Sequence, residues 1–332
     1  MKVSFFSRRA AKNAGWLVAG RVLHMALAFL VNLLTARYLG PSNYGLVNYA
    51  ALYTAFFTSF ATLGLSSLLL KDFMDDPEGA GTTVGTAIAM RLLSSVMSAV
   101  TILAIVAVVD RGDRLTMTVV ALYSMSLIFQ AFDTIQYWFQ SRLESKYATI
   151  ATSVGYIIVS FYKVLLLVLG KDGRWFAISN TIDYAVAAIV FLGLYKWRGG
   201  PRLHISPAKG RALLRQSGSF ILCGLMVSVY NCTDRFMLKH LLDEASVGYY
   251  ATATSLATVW TFVLSAIIDS ITPGIMQAHR TDRAQFVRYN RQLYALVFYL
   301  SVAVSAVITL LARPAVSLLY GEAYLPAVMP MQ

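Results

Sequence analysis

The stretch TVGTAIAMRLLSSVMSAVTILAIVAVV, from Thr83 to Val109, carries a single charge, Arg91, in a mostly apolar run. A run of this length crosses a bilayer as a helix, because about 20 apolar residues span the hydrocarbon core. Backbone polar groups must be paired inside hydrocarbon, and the run lacks the two-residue alternation of a barrel strand. The segment therefore predicts a transmembrane helix.

Eight other runs of similar length share this character. Hydrophobic residues make up 58% of the 332 residues and charged residues only 13%, whereas soluble proteins carry about 25% charged residues. The composition therefore predicts an all-α polytopic membrane protein. We predict nine complete spans, at 14–36, 44–70, 83–109, 115–140, 148–169, 175–195, 217–238, 246–272 and 293–312.

The distribution of Lys and Arg predicts the orientation. With the N-terminus in the cytoplasm, 17 of them lie in cytoplasmic segments and 7 in outside segments. Basic residues favour the cytoplasmic side, so the N-terminus is predicted to be cytoplasmic. The net charge of +12 arises without a basic face interleaved with aromatics. We therefore expect membrane lipids, and no nucleic acid, as partners.

The longest and most basic connection, 196–216, predicts a division of the chain. It separates a six-span bundle at 1–195 from the start of a second bundle at 217–332, with three complete spans. A tenth apolar run begins near Leu325 and reaches only Gln332, too short to span. We expect the second bundle to be incomplete and the chain to belong to a longer one.

A weak internal repeat supports the same division. The first hairpin shares four positions with the segment after the seventh span: Arg37, Leu39, Gly45 and Ala50 recur as Lys239, Leu241, Gly248 and Ala253. This match favours two pseudo-repeated helical bundles around a central cavity. The alternative is that any two membrane hairpins share small and basic residues.

Ionisable residues deep inside spans are costly and usually mark function. The cations predict a site for an anionic substrate, at Arg21, His24, Arg91 and Lys163. The acids predict an ion-coupling site, at Asp133 and Asp183. A purely structural pairing of Arg91 with Asp133 is the alternative for those two residues. Lys163 lies near a span end, so its side chain could instead extend to the membrane surface.

Catalytic motifs are not found in the sequence. It contains no phosphate-binding glycine loop, HExxH or GxSxG pattern, which argues against an ATP-driven pump or a membrane hydrolase. The four histidines are scattered, and Cys223 and Cys232 lie nine residues apart in one predicted helix. We therefore expect no metal, no disulfide, no cofactor and no enzymatic activity.

Three segments resemble bacterial polysaccharide-biosynthesis flippases of the O-antigen type, within the multidrug/oligosaccharidyl-lipid/polysaccharide exporter superfamily. They are ARYLGPSNYG at 36–45, TDRFML at 233–238 with VGYY at 247–250, and YGEAYLPA at 320–327. The segments are spread along the chain. The family has no universal catalytic motif, so the resemblance assigns no site residue.

The resemblance implies flipping of undecaprenyl-diphosphate-linked oligosaccharide across the bacterial cytoplasmic (inner) membrane. Such a protein serves cell-surface polysaccharide and lipopolysaccharide biosynthesis, uses an H⁺ or Na⁺ gradient, and works beside other polysaccharide-assembly membrane proteins. One alternative is a drug/cation antiporter of the same fold. The other, a membrane glycan polymerase or ligase, would need long outside loops, and every predicted outside loop is short.

Overall fold

The computed structural model describes residues 8–261 and 283–331 and a few positions between them, with side chains from residue 24 onward. Helices account for 88% of the structure, and no strand occurs in the described part. The predicted all-α class is confirmed. The α-helices are α1 (Arg8–Ala61), α2 (Ser66–Asp75), α3 (Ala80–Val109), α4 (Arg114–Ser124), α5 (Ser126–Gln130), α6 (Thr134–Ser141), α7 (Ser145–Val168), α8 (Gly173–Trp197), α9 (Pro207–Leu241), α10 (Glu244–Thr258) and α11 (Arg283–Tyr320).

Seven helical segments in the described residues are long and apolar enough to cross a membrane. The first of them, His24–Asp75, covers the second predicted span and part of the first. The two meet at Gly40, whose φ of 71° and ψ of 171° break the helix. Only glycine adopts that conformation readily, which explains why the first two predicted spans are separated at this point. The predicted eighth span, 246–272, lies partly outside the described residues.

The second predicted span is not continuous. Helix α1 ends at Ala61 and α2 begins at Ser66, and Leu63 and Gly64 between them have φ angles of 54° and 57°. A Cβ atom added to Gly64 would lie 2.8 Å from the Phe220 Cβ atom of α9. The break therefore coincides with a close approach of α9 that only glycine permits.

The fourth predicted span is also interrupted. Residues 115–140 were expected to form one helix, but α4, α5 and α6 are separated by Met125 and by a 3₁₀ turn at Ala131–Asp133. The hydroxyls of Ser124 and Thr134 donate to carbonyls three residues earlier, at 3.0 and 2.8 Å. Such side-chain bonds compete with the α-helical ladder, and a mid-helix 3₁₀ turn often marks a hinge or a strained segment.

The residues form two compact units, Met1–Val247 and Gly248–Gln332. In the first unit, helix α9 packs against α1, and its first turns fall within the predicted linker 196–216. The predicted division at that linker stays a prediction. We call the end of this unit with the Gly40 turn the hairpin end, and the end with residues 198–206 the linker end.

Two apolar clusters form the core of the first unit. The hairpin-end cluster is built around Tyr49, Leu52 and Val119, and the linker-end cluster around Trp138, Phe139 and Phe191. All six side chains are at most 2% exposed. Between the two clusters lies a layer that contains charged side chains from three predicted spans.

The second unit contains most of α10, helix α11 and a 3₁₀ segment at Glu322–Met331. The ninth span was predicted to end at Ala312, but α11 continues through Pro314 to Tyr320. Membrane helices tolerate proline because neighbouring groups satisfy the freed backbone. The ring of Tyr324 packs against Tyr320 and Tyr249, with centroids 5.6 and 6.2 Å apart.

Candidate functional site

The layer between the two apolar clusters receives one charge from each of three predicted spans. Arg91 comes from α3, Asp133 from the 3₁₀ turn before α6, and Asp183 from α8. Each lies along its own span between a residue of the hairpin-end cluster and one of the linker-end cluster: Ile102 and Ile88, Leu127 and Ile135, and Ala177 and Ala187. Charges at this depth are expensive unless other groups compensate them.

Arg91 lies where α3 packs against the interrupted fourth predicted span. Its side chain is only 3% exposed, and its Nη1 donates to the hydroxyl of Thr134 at 3.0 Å. Its Nε is buried without a hydrogen-bond partner among the described residues. Arg91 is therefore enclosed by protein in this conformation.

Asp133 is half-buried and interacts electrostatically with both Arg91 and Asp183. No ion pair within 4.0 Å joins it to Arg91 in the described part of the chain. Arg91 instead contacts the neighbouring Thr134. A direct salt bridge, the structural alternative for these two residues, is therefore not formed in this conformation.

Asp183 extends the row of charges from α8 to α7. It is half-buried and interacts electrostatically with Lys163. A Cβ atom added to Gly155 of α7 would lie 3.0 Å from the Asp183 Oδ1 atom. Glycine at this position thus leaves room for the carboxylate where α7 and α8 pack closely.

His24 joins the same region through an aromatic contact. Its ring centroid lies 4.1 Å from that of Tyr156, and Tyr156 interacts electrostatically with Asp183. The side chain of Arg21 lies outside the described residues. Five of the six predicted site residues are thus connected, in the order Arg91, Asp133, Asp183 and Lys163, with His24 attached through Tyr156.

Sequence reasoning missed several neutral neighbours of these charges. Thr134 and Gly155 contact Arg91 and Asp183, and Tyr123 and Tyr184 interact electrostatically with Asp183. Neutral polar side chains and glycines are common in membrane helices, so no pattern distinguished these. The charged row contains two carboxylates and two cations, so binding of one cation or proton would leave it net positive.

A polar cluster closes the hairpin end between α1, α3 and α9. The Tyr49 hydroxyl donates to Asp110 at 3.1 Å and lies 3.1 Å from the His240 Nε2 atom. Lys239 forms an ion pair with Glu244, and Ser42 donates to the same carboxylate at 3.4 Å. The contacts of Tyr49 with His240 and of Ser42 with Glu244 join residues 191 and 202 positions apart in sequence.

The contact between α1 and α9 continues towards the linker end. Cys232 Sγ lies 3.9 Å from the Leu52 carbonyl, and the Ser59 and Ser228 hydroxyls are 3.3 Å apart. At the linker end, Lys209 of α9 pairs with Asp72 of α2 at 2.7 Å. Polar contacts therefore join α9 to α1 at the hairpin end, and an ion pair joins α9 to α2 at the linker end. No group of three or more metal-ligating side chains occurs in the described part of the chain.

The contact of Arg91 with Thr134 predicts a measurable loss of stability. Thr134→Val keeps the shape but removes the acceptor, and a hydrogen bond to a charged group contributes about 1.5–3 kcal/mol. We expect a lower midpoint of thermal unfolding in detergent. Thr101→Val is the matched control, because Thr101 is exposed and its hydroxyl bonds only within its own helix. Equal midpoints for the two variants would contradict the assignment.

The chain is similar to known proteins both in sequence and in structure. The "Capsular polysaccharide biosynthesis protein CapF" of Staphylococcus aureus is 19% identical over 325 residues, covering 94% of this chain and 78% of that protein. An inward-facing multidrug resistance MATE family transporter of the MOP superfamily is similar in structure, with a TM-score of 0.68 and 16% identity. That match covers 92% of this chain and 75% of the transporter.

An outward-facing MATE family structure matches with a TM-score of 0.65 and 16% identity, covering 96% of this chain and 77% of that one. At these identities the structural matches show a shared transporter fold. The model of the family described as "Polysaccharide biosynthesis protein" matches residues 10–279, most of the chain. The chain is therefore a member of the polysaccharide biosynthesis protein family.

Proposed function

We propose that this protein flips undecaprenyl-diphosphate-linked oligosaccharide across the cytoplasmic membrane for cell-surface polysaccharide synthesis. Membership of a polysaccharide biosynthesis family and the MATE-like transporter fold support this proposal. The observation that carries it is the set of four ionisable side chains, Arg91, Asp133, Asp183 and Lys163, that lie inside the spans of the first unit. Such charges inside spans typically line substrate or ion paths.

The row suggests how an ion gradient drives the cargo. Asp133 and Asp183 are half-buried carboxylates without a direct ion pair in the described residues, so they are suited to bind H⁺ or Na⁺. Neutralising either one leaves a net positive layer that attracts a diphosphate. Arg21, His24 and Lys163 are then the proposed contacts for the phosphates. The enclosed Arg91 would contribute through its charge.

Transport also requires that the cargo-binding region opens to the cytoplasm and to the periplasm in turn. We place the N-terminus in the cytoplasm, so the hairpin end faces the periplasm and the linker end faces the cytoplasm. The closed contact between α1 and α9 would then have to open at the hairpin end for release. When the hairpin end opens, water can hydrate the ionic and polar side chains there. Breaking their contacts therefore costs little free energy, and the contacts can re-form.

A drug/cation antiporter is the second candidate, favoured by the MATE-like fold and by the two half-buried carboxylates. The two candidates differ in the charge of the cargo. A diphosphate lipid needs cationic partners, whereas a drug cation needs acidic partners.

Reconstitution into proteoliposomes tests both candidates in one assay. We expect a fluorescent undecaprenyl-diphosphate oligosaccharide to cross the bilayer when an H⁺ or Na⁺ gradient is imposed. A fluorescent drug cation should not move. Movement of the drug cation alone would overturn the proposal and support the antiporter, and a lipid-linked sugar carrying no phosphate serves as the control cargo.

A further inference from the structure

A cluster of cations and aromatic rings lies at the linker end of the first unit, outside the charged row. It comprises the segments 141–147 and 195–200, which carry four cations, Arg142, Lys146, Lys196 and Arg198, and one acid, Glu144. Glu144 is paired with Arg198, so three cationic charges remain uncompensated within these segments. All four cations are exposed.

Aromatic faces hold three of these cations in place. The Arg142 guanidinium lies 4.8 Å from the ring centre of Trp138, which is only 2% exposed and therefore fixed in the core. Lys146 Nζ lies 4.6 Å, and the Arg198 guanidinium 5.0 Å, from the ring centre of Tyr147. Cations positioned in this way lose less conformational freedom when they bind an anion.

The cluster lies at the end of two exposed apolar stripes. On α7, exposed side chains recur at helical spacing after Lys146: Ile150, Ile157, Phe161, Leu165 and Val168. On the neighbouring α8, Ile189 is 69% exposed and the stripe ends at Trp197, which is 70% exposed. Exposed aliphatic stripes on membrane-spanning helices are suited to lipid tails, and a terminal tryptophan marks the headgroup level.

From this arrangement we propose that the cluster is a binding site for the headgroup of an anionic phospholipid. The phosphate would lie among Arg142, Lys146 and Arg198, and the acyl chains would lie along the stripes of α7 and α8. Arg198 donates to Glu144 through one nitrogen only, and a guanidinium has five N–H donors. Free donors therefore remain for the phosphate.

Native mass spectrometry of the purified protein, titrated with phosphatidylglycerol or phosphatidylcholine, tests this site. Each Lys or Arg near an anionic surface strengthens binding about fivefold. We expect the combined Arg142→Gln, Lys146→Gln and Arg198→Gln variant to bind phosphatidylglycerol at least about tenfold more weakly. Phosphatidylcholine binding should not change, because it carries no net charge.

The matched control removes three exposed cations at the hairpin end, by Arg111→Gln, Arg114→Gln and Lys171→Gln. It should retain phosphatidylglycerol, and equal weakening in both triple variants would overturn the site. Lys146→Gln alone is the second measurement if the linker-end triple fails to fold, and an unchanged affinity there contradicts the proposal. Displacement of the phospholipid by an equimolar short-chain polyprenyl diphosphate would also overturn it, by assigning the cluster to the cargo lipid.

Discussion

Asp183→Asn is expected to slow gradient-driven transport about tenfold or more while the protein still folds and inserts. The substitution keeps the size of the side chain but removes the carboxylate that interacts with Lys163 and Asp133. Without it the row cannot change its charge at this position, so the gradient is uncoupled from the cargo. We expect the initial rate in proteoliposomes to fall on the order of tenfold or more, the size of a typical coupling energy.

The control for this charge effect is Asp172→Asn, at an exposed position of the hairpin end. It should transport normally. A second arm leaves every charge in place: Gly155→Ala adds a methyl group 3.0 Å from the Asp183 Oδ1 atom. We expect an intermediate loss, whereas Gly193→Ala, whose added methyl meets nothing within 4 Å, should have no effect. Normal gradient-driven transport rates in the Asp183→Asn variant would contradict a coupling role for this residue.

Linking the hairpin end of α1 to Glu244, the first residue of α10 and the ion-pair partner of Lys239 in α9, is expected to stop transport completely. Ser42 and Glu244 approach within 3.4 Å through their side-chain oxygens. Cysteines at both positions, in a background with Cys223→Ser and Cys232→Ser, should be joined by a short bifunctional thiosulfonate. The proposed transport cycle separates these positions once per turnover, so the linked protein should lose transport and regain it after reduction.

Each single-cysteine variant treated with the same reagent is the control, and it should transport at the untreated rate. The extent of linking can be read from the mass of the intact protein. Full transport by a completely linked sample would show that α1 and the start of α10, which is paired with α9 through Lys239, stay together during the cycle. That outcome would leave the charged row intact and overturn the proposed opening at the hairpin end.

The sequence alone determined the all-helical membrane class and the deep charges. Hydrocarbon forces every long apolar run into a helix, so the runs at 83–109 and 175–195 could be recognised without any tertiary contact. The cost of burying an ion made Arg91, Asp133 and Asp183 recognisable for the same reason. Both inferences rest on local properties of the chain.

Only the tertiary structure decided which charges meet and where the helices break. The Thr134 hydroxyl accepts a hydrogen bond from Arg91, which lies 43 positions away in sequence. The same hydroxyl donates to the Ala131 carbonyl in the 3₁₀ turn before α6. The break at Gly64 coincides with Phe220 of a distant helix, and Gly155 leaves space for the Asp183 carboxylate between α7 and α8. Bilayer energetics select helices one at a time, but partners and breaks depend on packing between residues far apart in sequence, which no local pattern encodes.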